Sequence, residues 1–163
     1  MNRRGFLAAG IAVLATEFLV RGAGPLRAAS RGKFAVSHSE EEWRKLLTPE
    51  QFSILREEAT ERPGSSALLS EHRKGTFSCA GCDQALFASE TKFESGTGWP
   101  SFWAPIDNAV ATTRDTSLGM VRVEVHCSRC GGHLGHVFDD GPQPTGLRYC
   151  MNGFAMTFAP KAA

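Results

Sequence analysis

The stretch CSRCGGHLGHVFDD, residues 127–140, begins with a CxxC pair of cysteines, and a second pair, CAGC at residues 79–82, lies 44 residues upstream. A CxxC turn directs two sulfurs at one metal ion, and two such turns complete the tetrahedral four-thiolate site that is typical of structural zinc. The long separation means that a whole β subdomain is inserted between the turns. The sequence therefore predicts one structural Zn²⁺ ion, with Cys79, Cys82, Cys127 and Cys130 as its ligands.

Two alternatives to this zinc site stay open at the level of sequence. In an oxidising compartment the four cysteines would form two disulfides, although a disulfide inside a CxxC turn is usually redox-active and the chain shows no thioredoxin-like βαβ pattern. Alternatively, His133 or His136 would join the metal, but six candidate ligands would then compete for four positions.

Strands and turns dominate the chain from Gly75 onward, in keeping with its 17 glycines and 8 prolines. The segment GMVRVEVHC, residues 119–127, alternates Val121, Val123 and Val125 with Arg122, Glu124 and His126. Such alternation predicts a half-buried strand. The segments AVATTRD, residues 109–115, and LRYCMNGFAMTFA, residues 147–159, predict further strands.

Two short helices are predicted before the strands. In SEEEWRKLL, residues 39–47, Ser39 is the N-cap and Glu42 completes a capping box. In TPEQFSILREEATE, residues 48–61, Thr48 caps the helix, with Pro49 at its first position and a glutamine at the capping-box position. The expected fold class is mainly β, of the α+β type, in a domain over residues 39–163 after a loose linker over residues 30–38.

The N-terminal segment differs in character from the rest of the chain. Arg3 and Arg4 precede an apolar run, residues 6–15, that is too short to span a bilayer. This order resembles a twin-arginine export signal, which predicts a signal peptide over residues 1–29 and export of the folded protein to the periplasm of a Gram-negative cell. The alternative is a buried N-terminal helix.

Charge excludes some classes of partner. The whole chain has 18 basic and 17 acidic residues, and removing residues 1–28 takes away four basic residues and one acidic residue. The remaining 14 basic and 16 acidic residues give a net charge of about −2. We therefore expect no nucleic-acid partner, and no stable membrane insertion once the signal is removed.

The fifth cysteine, Cys150, stands apart from the two pairs, between Arg148 and Asn152. A thiol acts as a nucleophile only as thiolate, and Arg148 lies on the same face of the predicted strand. Its positive charge predicts a lowered thiol pKa. The alternative is an inert cysteine buried in a β core.

Further polar residues cluster near the second CxxC pair. His133, His136 and Asp140 lie within eight residues, whereas the neighbouring Asp139 could simply belong to a turn before Gly141. In the loop SGTGWPSF, residues 95–102, Trp99 is a candidate for lining a pocket that holds an apolar group.

The segments SGTGWPSF, HLGHVFDDGP and RYCMN, together with the two CxxC pairs, resemble the methionine-R-sulfoxide reductases of the B type. The resemblance runs from about Trp43 to Phe158. It implies a β-tent of two antiparallel sheets with a structural zinc. It also implies that Cys150 is the catalytic nucleophile and that Trp99 packs against the substrate methyl group. The other implied active-site residues are His133 and His136 at the sulfoxide oxygen, Asp140 and Arg148 beside Cys150, and Asn152 in support.

One departure from the family pattern concerns the second, resolving cysteine that many members carry before Gly-Trp-Pro. Here Thr97 stands at that position, and no other cysteine is unassigned. We therefore expect no intramolecular disulfide after turnover, and reduction by a thioredoxin-like protein or another external thiol. The expected substrate is methionine-R-sulfoxide, in oxidised proteins or free, and the expected oligomeric state is a monomer.

Two other functions fit part of the sequence. A zinc-stabilised β binding module without catalysis explains the two CxxC pairs but not Cys150 with its polar neighbours. A cysteine hydrolase would use Cys150 with a histidine and Asp140, although no oxyanion hole is evident.

Overall fold

Two short helices begin the part of the chain, residues 34–162, that the computed structural model describes. Helix α1 spans Glu40–Leu46 and helix α2 spans Pro49–Glu57. Both predicted capping boxes are confirmed: the Ser39 hydroxyl accepts from the Glu42 amide, and the Thr48 hydroxyl accepts from the Gln51 amide. Helix α2 buries Phe52, Ile54 and Leu55 and contacts the larger of two sheets.

Nine strands follow the helices within the described residues and form two antiparallel sheets. The smaller sheet has the order β2-β1-β9, and the larger has the order β3-β4-β8-β7-β6-β5. The strands are β1 Gly75–Cys79, β2 Ala85–Ala88, β3 Lys92–Phe93, β4 Ser101–Phe102, β5 Val110–Asp115, β6 Arg122–Cys127, β7 His133–Phe138, β8 Arg148–Met151 and β9 Met156–Pro160. The predicted fold class, mainly β with two antiparallel sheets and short N-terminal helices, is confirmed.

The segment that was predicted as one strand over residues 147–159 is divided in two. Strand β8 ends at Met151, a 3₁₀ turn follows over Gly153–Ala155, and β9 continues in the other sheet. The chain therefore crosses from one sheet to the other immediately after Cys150. The alternation of side chains alone carried no signal for this turn.

The alternation over residues 119–127 predicts burial in and beside strand β6 only in part, because Val125 is fully buried but the other two valines are not. Val121 and Val123 are 67% and 41% exposed, whereas Glu124 and His126 are 5% and 7% exposed. The valines lie near the end of the β5–β6 hairpin. Glu124 is buried because it faces β7, where its carboxylate contacts a histidine.

Aromatic side chains fill the core between the strands. Phe77, Phe87 and Phe102 are fully buried, and the rings of Phe87 and Phe102 stack with centroids 4.3 Å apart. Phe102 is therefore a core residue, unlike the neighbouring Trp99, which is only partly buried. No helix within residues 34–162 is long and apolar enough to cross a bilayer.

The predicted signal peptide, residues 1–29, lies outside the described residues. Residues 34–38, the described part of the predicted linker, have no helix or strand and contact the domain. The Val36 amide donates to the Arg129 carbonyl at 3.0 Å, and the Phe34 ring packs edge-on against His126.

Candidate functional site

The four cysteines of the two CxxC turns form one cluster, with all four Sγ atoms within 4.8 Å of one another. The short contacts join the two turns: Cys79 to Cys130 at 3.7 Å and Cys82 to Cys127 at 3.6 Å. A tetrahedron with Zn–S bonds of about 2.3 Å has S···S edges of roughly 3.8 Å. The donor atoms present therefore fit a tetrahedral metal ion.

Backbone hydrogen bonds hold both turns in the shape that a metal site needs. The Asp83 amide donates to the Cys79 carbonyl, and the Gly131 amide donates to the Cys127 carbonyl, each at 2.9 Å. Gly131 has a φ of +68°, and a Cβ on it would collide with the ring of Phe34. The positive φ strains any other residue at this position, and a Cβ would in addition displace the Phe34 ring.

The two alternatives to a four-cysteine metal site receive no support from the geometry. Cys79, Cys82, Cys127 and Cys130 are all free, so neither CxxC turn contains a disulfide. Neither His133 nor His136 belongs to the cluster of potential metal ligands among the described residues. Each of these histidines instead contacts a carboxylate.

Cys150 lies in β8, directly opposite Ser101 of β4 on one side and His136 of β7 on the other. Its Sγ atom is 3.8 Å from the Thr97 Oγ1 atom. The Ser95 hydroxyl joins this contact to Ser101, at 2.8 Å from Thr97 Oγ1 and 2.7 Å from Ser101 Oγ. Hydroxyl groups therefore surround the thiol on the β4 side.

The resting form of Cys150 differs from the expected thiolate. Burial raises the thiol pKa, and hydrogen bonding to Thr97 together with the charge of Arg148 offsets that effect only in part. The prediction of a lowered thiol pKa is therefore wrong in its net direction, because Arg148 acts as predicted but burial is the larger effect. At neutral pH Cys150 carries its proton in the free protein.

Arg148 is held by Asp140 in a bidentate ion pair. Its Nε and Nη2 atoms donate to the two carboxylate oxygens of Asp140, both at 2.8 Å. Its guanidinium carbon also lies 4.5 Å from the ring centroid of Phe138. Arg148 lowers the pKa of the Asp140 carboxyl and is itself partly neutralised. Asp139 is exposed and takes no part in this pair.

The two histidines each contact a carboxylate on a neighbouring strand. His133 Nδ1 is 2.9 Å from Glu124 Oε1, and His136 Nε2 is 2.9 Å from Asp115 Oδ2. Their ring centroids are 5.4 Å apart. His133 Nε2 is buried and has no hydrogen-bond partner among the described residues, so its capacity for one hydrogen bond is unused there.

Asn152 and Trp99 are both hydrogen-bonded to the backbone of Glu61, one at its amide and the other at its carbonyl. The Asn152 Oδ1 atom accepts from the Glu61 amide at 3.0 Å, and Trp99 Nε1 donates to the Glu61 carbonyl at 3.2 Å. The Glu61 carboxylate in turn accepts from the amides of Gly153 and Phe154, at 2.8 and 2.9 Å. Burial nevertheless raises the pKa of Glu61.

Three carboxylates of this site were missed from the sequence: Glu61, Asp115 and Glu124. Glu124 is buried opposite His136 within the ladder, Asp115 ends β5, and Glu61 belongs to the loop after α2. Only Glu124 could have been predicted from the sequence, since a charged residue inside an alternating strand needs a polar partner if it is buried.

The site as a whole combines one half-buried thiol with neutralised charge and unused hydrogen-bonding capacity. Cys150 is the candidate nucleophile, Arg148 lowers its thiol pKa in part, and the histidines lie on the adjacent strand. Trp99, partly exposed and hydrogen-bonded at its indole, offers an apolar surface near the Thr97 contact. Such a site suits attack by sulfur on a small polarised group that carries an apolar substituent.

The chain is similar in sequence to one family of known proteins. Residues 47–160 match the SelR domain family. A protein named peptide methionine sulfoxide reductase MsrB in Agrobacterium fabrum is 55% identical over 126 residues, covering 77% of this chain and 93% of the relative. The protein of the same name in Methanosarcina barkeri is 58% identical over 125 residues, covering 76% of this chain and 88% of the relative. That of Leifsonia xyli is 50% identical over 135 residues, covering 82% and 97%.

Proposed function

The chain belongs to the SelR domain family and is a peptide methionine sulfoxide reductase, and we propose that it reduces the R epimer of methionine sulfoxide, in oxidised proteins or free, with Cys150 as the nucleophile. The observation that carries this proposal is the position of Cys150. Four of the five cysteines form the metal cluster, which leaves Cys150 as the one thiol available, between Ser101 and His136. A binding module would leave that thiol and its polar neighbours without a role.

The proposed reaction transfers one oxygen atom from substrate sulfur to cysteine sulfur. The Cys150 thiolate attacks the sulfoxide sulfur while the sulfoxide oxygen takes up a proton, because a protonated oxygen makes the sulfur a better electrophile. This attack forms a bond between the two sulfur atoms. The hydroxyl group then passes from the substrate sulfur to the Cys150 sulfur as the S–O bond and the new S–S bond break, so that methionine leaves and Cys150 becomes a sulfenic acid. Cysteine sulfur is oxidised by two electrons and methionine sulfur is reduced by two.

The remaining residues are assigned to substrate recognition and to stabilisation of charge. Trp99 packs against the methyl group of the substrate and thereby favours the R epimer by shape. His133 and His136 serve the sulfoxide oxygen. The pair of Arg148 with Asp140 stabilises the thiolate when it forms, and Asn152 fixes the turn after β8.

We assign the return of Cys150 to its thiol to an external reductant. Thr97, whose Oγ1 atom contacts Cys150, has no redox chemistry, and the other four cysteines are grouped as potential ligands of one metal ion. A thioredoxin-like protein or a small thiol would attack the sulfenic acid and form a mixed disulfide, which a second thiol resolves.

The metal is proposed to be one structural Zn²⁺ ion, since four thiolates with no open position suit zinc and leave no vacancy for catalysis. Cys79, Cys82, Cys127 and Cys130 would hold it. The twin-arginine-like start of the chain supports a proposed location in the periplasm after export in folded form. A monomer is proposed.

The mechanism is tested by a single turnover without reductant. Purified protein is mixed with a limiting amount of each epimer of a blocked methionine sulfoxide and a reagent specific for sulfenic acids. The adduct is then located by peptide mass. The expected result is an adduct on Cys150 with the R epimer only, and none in Cys150→Ser. An adduct on one of the CxxC cysteines would contradict the assignment.

A further inference from the structure

Asp115, the last residue of β5, is joined to His136 of β7 across the intervening strand. Its Oδ2 atom is 2.9 Å from His136 Nε2 and 2.7 Å from Arg122 Nη2. Its Oδ1 atom accepts from the Ser117 amide at 2.8 Å. The Ser117 amide and the Arg122 guanidinium can only donate, so each oxygen of this carboxylate accepts at least one hydrogen bond.

The proton on the His136 ring follows from this arrangement. The donors around Asp115, with those of Ser117 the strongest, lower the carboxyl pKa and keep Asp115 ionised. An ionised carboxylate requires a hydrogen on the facing nitrogen, so Nε2 of His136 is protonated. Burial lowers the pKa of His136, and the ring is therefore neutral at neutral pH. A neutral ring with Nε2–H has a lone pair on Nδ1.

We infer that Asp115 is a positioning residue that fixes His136 in its Nε2–H tautomer and leaves Nδ1 as the proton acceptor of the active site. The inference rests on the proposed function, and it adds a residue and a direction of proton transfer to it. The contact with Asp115 is made by Nε2, so Nδ1 is the ring nitrogen of His136 that does not face that carboxylate. His136 and Cys150 are directly opposite each other on neighbouring antiparallel strands, so their side chains share one face of the sheet.

This tautomer provides a route for the proton in the proposed reaction. Cys150 rests as a thiol, so its proton must leave before sulfur can attack. His136 Nδ1 accepts that proton, directly or through one water molecule, and the ring becomes an imidazolium paired with Asp115. The imidazolium then returns the proton to the sulfoxide oxygen as the S–O bond breaks. The sum is thiol plus sulfoxide to sulfenic acid plus methionine, with no net proton taken up.

The charged groups that face His136 determine how readily its ring takes up a proton in this cycle. Asp115 from β5 favours the imidazolium, whereas Arg122 from β6 and His133 from the same strand disfavour it. Glu124 of β6, opposite His136, is hydrogen-bonded to His133. From β8, Cys150 and Arg148 share this face, and Arg148 is paired with Asp140. Asp115 is thus the carboxylate in direct contact with His136.

The test combines a spectroscopic reading with the pH dependence of turnover. The ¹⁵N shifts of the His136 ring are compared between the whole zinc-loaded protein and the variants Asp115→Ala and Asp115→Asn. Neither variant presents two acceptor oxygens to the donors around position 115. Asp107→Asn removes an exposed carboxylate elsewhere and is the matched control.

The wild type is expected to show the Nε2–H tautomer of His136. Both Asp115 variants are expected to show a mixture of the two tautomers or the Nδ1–H tautomer. kcat should fall at least about tenfold in the Asp115 variants with a much smaller change in KM. The acidic limb of the kcat profile should move to lower pH in Asp115→Ala, because the carboxylate that favours the imidazolium is gone. A residue with a purely structural role would not move that limb, and Asp107→Asn should change nothing.

Nδ1–H in the wild type, or an unchanged tautomer and kcat in Asp115→Ala, would overturn the inference even if the wild type reduces the R sulfoxide. The ring spectra of the wild type require neither turnover nor a variant that folds. Absence of sulfoxide reduction with the Nε2–H tautomer present would reject the proposed function and leave the assignment of the tautomer standing.

Discussion

The Sγ atom of Cys150 and the Oγ1 atom of Thr97 are 3.8 Å apart, in contact across the boundary between β8 and the loop that precedes β4. A thiol at position 97 would be placed to attack a sulfenic acid on Cys150. Threonine occupies the position instead, and its hydroxyl is hydrogen-bonded to Ser95.

The first prediction follows from that contact: Thr97→Cys converts the enzyme to one that forms an internal disulfide. After one turnover without reductant, the variant should lose two hydrogens, and its peptides should show a bond between positions 97 and 150. The wild type should instead gain one oxygen on Cys150. Thr97→Ser is the matched control and should behave as the wild type does.

The reactivity of Cys150 is predicted to depend on Arg148. Burial raises the thiol pKa, and the positive charge of Arg148 lowers it in part, so Arg148→Leu should raise it further. The rate of alkylation of Cys150 by iodoacetamide should increase with pH through the raised pKa. In Arg148→Leu that increase should move to higher pH, with a several-fold lower rate at neutral pH.

Peptide mass separates alkylation of Cys150 from that of the other cysteines. Arg114→Leu, which removes an exposed arginine of β5, should leave the profile unchanged. A profile that moved to lower pH in Arg148→Leu would show that the guanidinium does not stabilise the thiolate.

Zinc is predicted to be part of the folded state. Elemental analysis of purified protein should give one zinc per chain, and Cys127→Ser should lose it. The free energy of unfolding should fall by several kcal/mol, because a structural zinc site contributes on the order of 10 kcal/mol of apparent binding free energy. Cys150→Ser should keep its zinc. A metal-free wild type whose unfolding is unaffected by a chelator would count against the site.

Glu61 is predicted to hold the turn that follows the nucleophile. Its carboxylate accepts from the buried amides of Gly153 and Phe154, and Glu61→Ala leaves both without an acceptor. Each unsatisfied buried donor costs about 1–3 kcal/mol, so the loss in unfolding free energy should be about 2–5 kcal/mol. Denaturant unfolding measures it, with the exposed Glu50→Ala on α2 as control. A loss as small as that of the control would refute this role.

The features that the sequence predicted correctly are those determined by short-range spacing. Ser39 with Glu42, and Thr48 with Gln51, cap helices because the partners are three residues apart, which is a local relationship. The cysteine cluster was predictable because each CxxC turn carries its own geometry. Pairing of the two turns required only that both bind one ion.

The features that escaped prediction depend on contacts distant in sequence. Alternation in β6 separates two faces but does not reveal that both are covered over its last four residues. Glu124 is buried there because β7 places His133 against it. Glu61 contacts residues more than 90 positions away. The sequence showed that Arg148 lies near Cys150 and would lower its thiol pKa. It did not show the burial of Cys150, which raises that pKa by more than Arg148 lowers it.

The proposed reaction is tested most directly by steady-state consumption of the separate R and S epimers of a blocked methionine sulfoxide with a small dithiol. Wild type is compared with Cys150→Ser, after both are shown to be folded and to contain zinc. We expect the wild type to consume only the R epimer and the variant to consume neither. Equal consumption of the S epimer, or undiminished turnover by Cys150→Ser, would contradict the central claim that Cys150 reduces the R sulfoxide.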